Sequence, residues 1–143
     1  MNKQSCDTGD LIKLLRHGSL DDVIDCIDPQ PTFPAFLAQL SAGRNITREQ
    51  VIQRAGIERS YGHQLFNGIR RPSRGKALQL AFGFSLDAEQ TQALLRSAEV
   101  AELTPRVKRD AVILYCLMHQ LSLSDAQNLL SQFSLQPIGS ERA

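Results

Sequence analysis

Apolar residues recur along the chain at intervals of three and four, and no stretch alternates with period two, so the pattern predicts an all-α protein. Leu11, Leu14 and Leu15, then Leu20, Val23, Ile24 and Ile27, form two short amphipathic stripes separated at Gly18 and Ser19. Pro29, Pro31 and Pro34 close that pair and predict a linker. Phe33, Phe36, Leu37 and Leu40 mark a third helix ending near Gly43. Thr47, Arg48, Glu49 and Gln50 then have the form of a capping box, with Ile46 and Val51 where a hydrophobic staple belongs. The helix that this box opens should run to about Ala55 and stop at Gly56. Another should start near Arg59, run to Asn67 and end at Gly68. Pro72 breaks the next loop. Ser73 caps a helix in which Leu78, Ala81 and Phe82 point inward and Gly83 is the expected stop.

Asp87 and Gln90 make a second capping box, ahead of Leu94, Leu95 and Ala98. Thr104 and Pro105 read as an N-cap followed by proline at the first helical position. That helix should reach His119 and bury a wide stripe of Val107, Ala111, Val112, Leu114, Tyr115 and Met118. Ser124 and Gln127 are expected to cap the last helix, burying Leu129, Leu130 and Phe133, and the tail from Gln136 is expected to fray. The organisation read from this is an acidic helical extension over 1–30, a central domain over 31–98 and a helical extension over 99–143.

With 143 residues, 42% hydrophobic and 22% charged, the chain can bury a core without metal or disulfides and is not a disordered composition. The net charge of +1 conceals strong segregation. Residues 1–30 carry −3 and residues 77–143 carry −2. Between Arg44 and Lys76 lie eight basic residues, seven of them Arg, against Glu49 and Glu58. Such an island is the electrostatic footprint of a surface facing a polyanion, and the planar guanidinium suits phosphate and guanine edges better than an ammonium does.

Within that island a capped helix, a break at Gly56 and a second helix three residues later form a helix-turn-helix arrangement. A tight corner at a small residue lets the second helix project into a major groove. The stretch ITREQVIQRAGIERSYGHQLFNGIRRPSRGKALQLAFGF, residues 46–84, resembles the Cro- and lambda-repressor-like (XRE) DNA-binding family. The resemblance rests on the capped helix from Thr47, the turn at Ala55, Gly56 and Ile57, the helix ending in Asn67 and Gly68, and Arg71, Pro72 and Ser73 leading into a further helix. The longer pattern resembles a bacterial subgroup with extra N- and C-terminal helices.

The resemblance implies a five-helix lambda-repressor-like core with added helices at both ends, and a recognition helix over 59–67. Arg59, Ser60 and Gln64 fall at the family's base-reading positions, with His63 on the adjoining turn. Thr47 and Arg48 are placed to hold phosphate at a helix N-terminus, and Asn67, Arg70, Arg71 and Arg74 to grip the backbone from the following loop. The partner so implied is double-stranded DNA, bound by a homodimer, with the helices beyond Glu99 serving oligomerisation or docking of a protein partner. Three residues depart from the family pattern: Gly62 in place of a core-facing aliphatic, Glu58 in place of a Ser or Thr cap, and Phe66 in place of an acidic residue. Gly62 should loosen its helix by about 1 kcal/mol relative to Ala.

Other chemistry is poorly represented. No phosphate-binding Gly-rich loop, nucleophile elbow or dinucleotide fingerprint occurs, and the carboxylates are expected on solvent faces, so an enzyme is not expected. His17, His63 and His119 lack ligand spacing, and Cys6, Cys26 and Cys116 form no paired motif, so no metal and no cofactor are expected. No apolar run approaches the ~18–20 residues of a membrane span, and no signal-peptide pattern opens the chain, so a cytoplasmic location is expected. The competing reading is a helical adaptor whose basic island meets an acidic protein.

Overall fold

The computed structural model describes residues 8–27 and 31–140, and every regular element among them is an α-helix. Cys6 and Pro29 lie outside the described residues. The chain divides into two compact units, Met1–Gln30 and Pro31–Ala143. In the first, α1 (Thr8–His17) packs on α2 (Leu20–Cys26), and Ser19 caps α2 by accepting from the Asp22 amide. Only Val23 is buried in these two helices. Among the described residues no helix is long and apolar enough to cross a membrane.

The second unit holds α3 (Phe33–Ala42), α4 (Arg48–Arg54), α5 (Arg59–Phe66), α6 (Arg74–Gly83), α7 (Ala88–Ser97), α8 (Lys108–Met118) and α9 (Leu123–Gln132). The expected 98/99 boundary falls inside this unit, where α7 packs on α8 and α6 on α9. Both expected capping boxes close reciprocally, Thr47 with Gln50 and Asp87 with Gln90. Glu58 caps α5 with two carboxylate oxygens, accepting from the amides of Ser60 at 3.0 Å and Tyr61 at 2.9 Å. Those two N–H groups hold its carboxyl below the usual carboxylate range.

The core is built around α6, buried from Ala77 to Gly83 and packed on α4 and α7. α6 ends at Gly83, as expected, but the glycine is there for contact. A Cβ there would sit 2.7 Å from the Val51 carbonyl oxygen and 3.1 Å from the Ala55 Cβ, so glycine is what lets α6 lie against α4. The chain turns two residues later, at Ser85, whose φ of 56° lies in the left-handed region. Gly62 acts likewise on α5: a Cβ would lie 2.6–2.8 Å from three side-chain atoms of Ile52. It is a contact residue between α4 and α5 rather than a weak point.

The C-terminal third departs most from expectation. α8 starts at Lys108, not after Thr104, because residues 101–106 are held as a loop. The Gln92 amide clamps Leu103 through both its backbone groups, at 2.7 Å each, and Asp110 accepts from the Thr104 amide at 3.0 Å. The buried side of α8 is Asp110, Ile113, Leu114, Cys116 and Leu117, whereas Val107, Tyr115 and Met118 are half exposed or more. Burial raises the Cys116 thiol pKa above its usual value. The α9 cap is Ser122 with Asp125. Gln127, expected as a capping partner, instead clamps both backbone groups of Ile138 at 2.8 Å. Arg109 donates to the carbonyls of Gln136 and Pro137, and Ile138 is buried, so the tail to residue 140 is anchored rather than frayed. Leu130 is buried as expected, Leu129 half-buried and Phe133 exposed.

Gly62→Ala sets about 1 kcal/mol of helix propensity against an overlap with Ile52, which is buried and branched at Cβ and cannot swing aside. The expected outcome is a net loss of about 1–2 kcal/mol in urea denaturation. An unchanged or raised midpoint would show that α4 and α5 separate freely.

Candidate nucleic-acid interface

α4 and α5 meet at a turn through Gly56, whose φ of +68° favours glycine. The Ala55 carbonyl at that turn accepts from the buried Gln79 amide at 3.0 Å, which pins the corner to α6. Leu65 and Phe66 bury one side of α5, leaving Arg59, Ser60, Asn67 and, in part, His63 and Gln64 on the other. The four residues expected to meet bases therefore share the accessible face of one helix.

Cationic groups brace this helix along its body and at its C-terminal end. Arg48, the first residue of α4, donates to the Asn67 side chain at 2.8 Å and lies over the Phe66 ring, 4.9 Å from its centroid. The Phe66 ring in turn packs 6.2 Å from that of Phe84. Arg70 donates to Gln64 at 2.6 Å and lies 5.2 Å from the Tyr61 centroid, with the Lys76 ammonium at 5.8 Å. Both aromatics thus act as supports for guanidinium groups. Arg71 is almost wholly exposed and meets Glu99 at 3.7 Å. Thr47 is the cap of α4, its hydroxyl oxygen accepting from the Gln50 amide at 3.2 Å.

Arg74 is placed elsewhere, and here the expectation of a backbone-gripping residue is corrected. Its guanidinium donates to both carboxylate oxygens of buried Asp110, at 2.8 and 3.2 Å. It also donates to the carbonyls of Ala101 and Glu102, at 2.9 and 3.0 Å. With four acceptors around a planar fork, it is the strut that fastens α6 to the 101–106 loop and α8. The expectation that carboxylates keep to solvent faces fails at the same place, since Asp110 is only 4% exposed.

Glu49, which along the chain stands only in the capping stretch of α4, also belongs to this face. Its Oε1 accepts from Arg59 Nη2 at 2.7 Å and lies 3.7 Å from His63 Nε2. The hydrogen bond and charge of Arg59 hold the Glu49 carboxyl below its ordinary range, with His63 adding a smaller effect. No spacing rule along the chain could have found this contact, because it depends on how α4 and α5 cross. Among the described residues no group of three or more His, Cys, Asp or Glu side chains is arranged to hold a metal ion. Comparison of the chain with family models, curated proteins and solved structures returned no match.

The two kinds of arginine should separate in a stability measurement. Arg74→Ala leaves the Asp110 charge buried without its main partner and is expected to cost about 3 kcal/mol in urea denaturation. Arg71→Ala, on an exposed side chain, is expected to change stability by less than about 0.5 kcal/mol. Equal effects would remove the distinction between strut and surface residue.

Proposed function

We propose that this chain is a sequence-specific DNA-binding transcriptional regulator that inserts α5 into the major groove. One observation carries the reading: the polar face of α5, with Arg59, Ser60, His63 and Gln64, is flanked by Arg48 and Arg70 and backed by a buried apolar side, with exposed Arg71 in the loop that follows. Arg59 suits guanine O6 and N7, and Gln64 suits adenine N6 and N7. Arg48, Asn67, Arg70 and Arg71 are given the phosphates, with Thr47 at the N-terminus of α4. In this reading α3 to α7 form the lambda-repressor-like five-helix core that the sequence resembles.

A helix of eight residues presents few side chains to base edges, so the reading includes a homodimer on half-sites ~34–36 Å apart. The α8–α9 surface is the seam we assign to it. Tyr115, Met118 and Phe133, exposed by 53%, 65% and 61%, stand out there. Beside them lie two shallow hollows of about 500 and 400 Å³, and Ala111 and Tyr115 line both. A patch carrying both ridge and hollow is what a two-fold self-complementary contact requires. The two aromatics alone leave roughly 200 Å² uncovered. With Met118 beside them, these side chains form the kind of exposed apolar patch that marks an interaction surface.

The test is affinity for duplexes selected from a random pool, measured across salt concentration. Binding should weaken with a log–log slope of about −0.9 for each phosphate neutralised. Arg59→Ala should lose about 1–3 kcal/mol and relax one base pair, while Arg71→Ala should weaken all sequences alike and shallow the slope by about one. An Arg59→Ala variant that binds the selected site as tightly as the parent would overturn the base-reading assignment. A parent that binds no duplex would favour the adaptor reading.

A further inference from the structure

Glu49 belongs to α4, yet its carboxylate serves α5. Arg59 and His63 are one helical turn apart and both reach the same Oε1, so Glu49 is set against the face that carries the base-reading candidates. The Glu49 and Arg59 side chains are 61% and 76% exposed, and exposed pairs of this kind add little to stability. On a surface that approaches phosphates, a carboxylate opposes binding to every duplex unless it finds a donor there. The major groove offers one at two bases only, cytosine N4 and adenine N6. Guanine O6 and N7 and thymine O4 are acceptors, and a desolvated carboxylate facing them is repelled.

We infer that Glu49 is a specificity-determining residue of the DNA-binding face. It steers the Arg59 fork toward guanine and demands that, at the neighbouring pair, the base on the strand facing Glu49 be cytosine or adenine, since every pair carries one amino group in the major groove and only the strand that presents it differs. This rests on the DNA-binding reading above. Arg59 carries five N–H donors, so a bidentate contact to guanine is compatible with keeping one hydrogen on Glu49. The couple then reads two adjacent pairs, one by attraction and one by exclusion of the wrong bases. The same carboxylate reduces affinity for DNA in general, which raises the ratio of specific to non-specific binding.

The experiment selects sites from random duplexes with the full-length parent, Glu49→Ala and Glu49→Gln. Affinities are then measured on selected and scrambled duplexes at one fixed salt concentration, with circular dichroism to confirm that each variant is folded. The parent should select a guanine flanked by cytosine or adenine on the strand facing Glu49. Glu49→Ala should lose that second preference, a change of roughly tenfold or more, and bind scrambled duplex several-fold more tightly. Glu49→Gln, which both donates and accepts, should tolerate any base there while the guanine preference persists. If Glu49→Ala keeps every base preference of the parent and gains nothing on scrambled DNA, the inference is overturned while DNA binding stands. If the parent shows no salt-sensitive affinity for any duplex, the DNA-binding reading falls and this inference with it.

Discussion

The close approach of three short helices around Val51, Ile52 and Ala55 is the constraint from which the rest of the second unit follows. α4, α5 and α6 have only seven to ten residues each, so each can bury enough apolar surface only by coming near its neighbours. Two glycines make this possible, Gly62 against the Ile52 side chain and Gly83 against the Val51 carbonyl and Ala55. At the corner between α4 and α5, Gln79 occupies the Ala55 carbonyl that the turn would otherwise leave without a partner in the core. With the inner side of α5 fixed in this way, its outer side is available for polar chemistry.

The arginines of the basic island divide into distinct physical roles. Arg74 is partly buried, and its four acceptors join the loop before α8 to the start of α6. Arg48 and Arg70 rest on aromatic rings and bond the amide side chains of Asn67 and Gln64, which limits the rotamers these groups must lose on meeting a ligand. Arg59 is held by a carboxylate on the neighbouring helix. The bonds at the surface are individually weak, so exchanging them for phosphate or base contacts costs little. The arrangement combines a stiff frame with exchangeable contacts.

The legible parts of the sequence were those whose signal is local. The Thr47–Gln50 and Asp87–Gln90 boxes, the glycine turn and the Ser73 cap each involve residues within a few positions of one another, and each formed as read. The buried side of α8 was not legible, because residues 111–118 are apolar at every position and a 3.6-residue period has no contrast there. The anchored tail depends on Gln127 and Arg109 reaching residues 136–138, and Arg74 on a carboxylate 36 positions away. Gly62 and Gly83 look like helix weakeners in isolation and become contact residues only when a second helix is present. Glu49 escaped notice for the same reason, since α4 brings it to α5 only through the crossing.

The central claim is that α5 and its flanking cations form one continuous DNA-facing surface. Amide chemical-shift mapping of the isotopically labelled protein, titrated with a selected duplex, tests it most directly. The account predicts shifts concentrated at residues 47–49, 59–64 and 67–71, with the Arg74–Asp110 strut and the buried α6 core changing little. Shifts concentrated on other surfaces, with residues 59–64 unmoved, would contradict it.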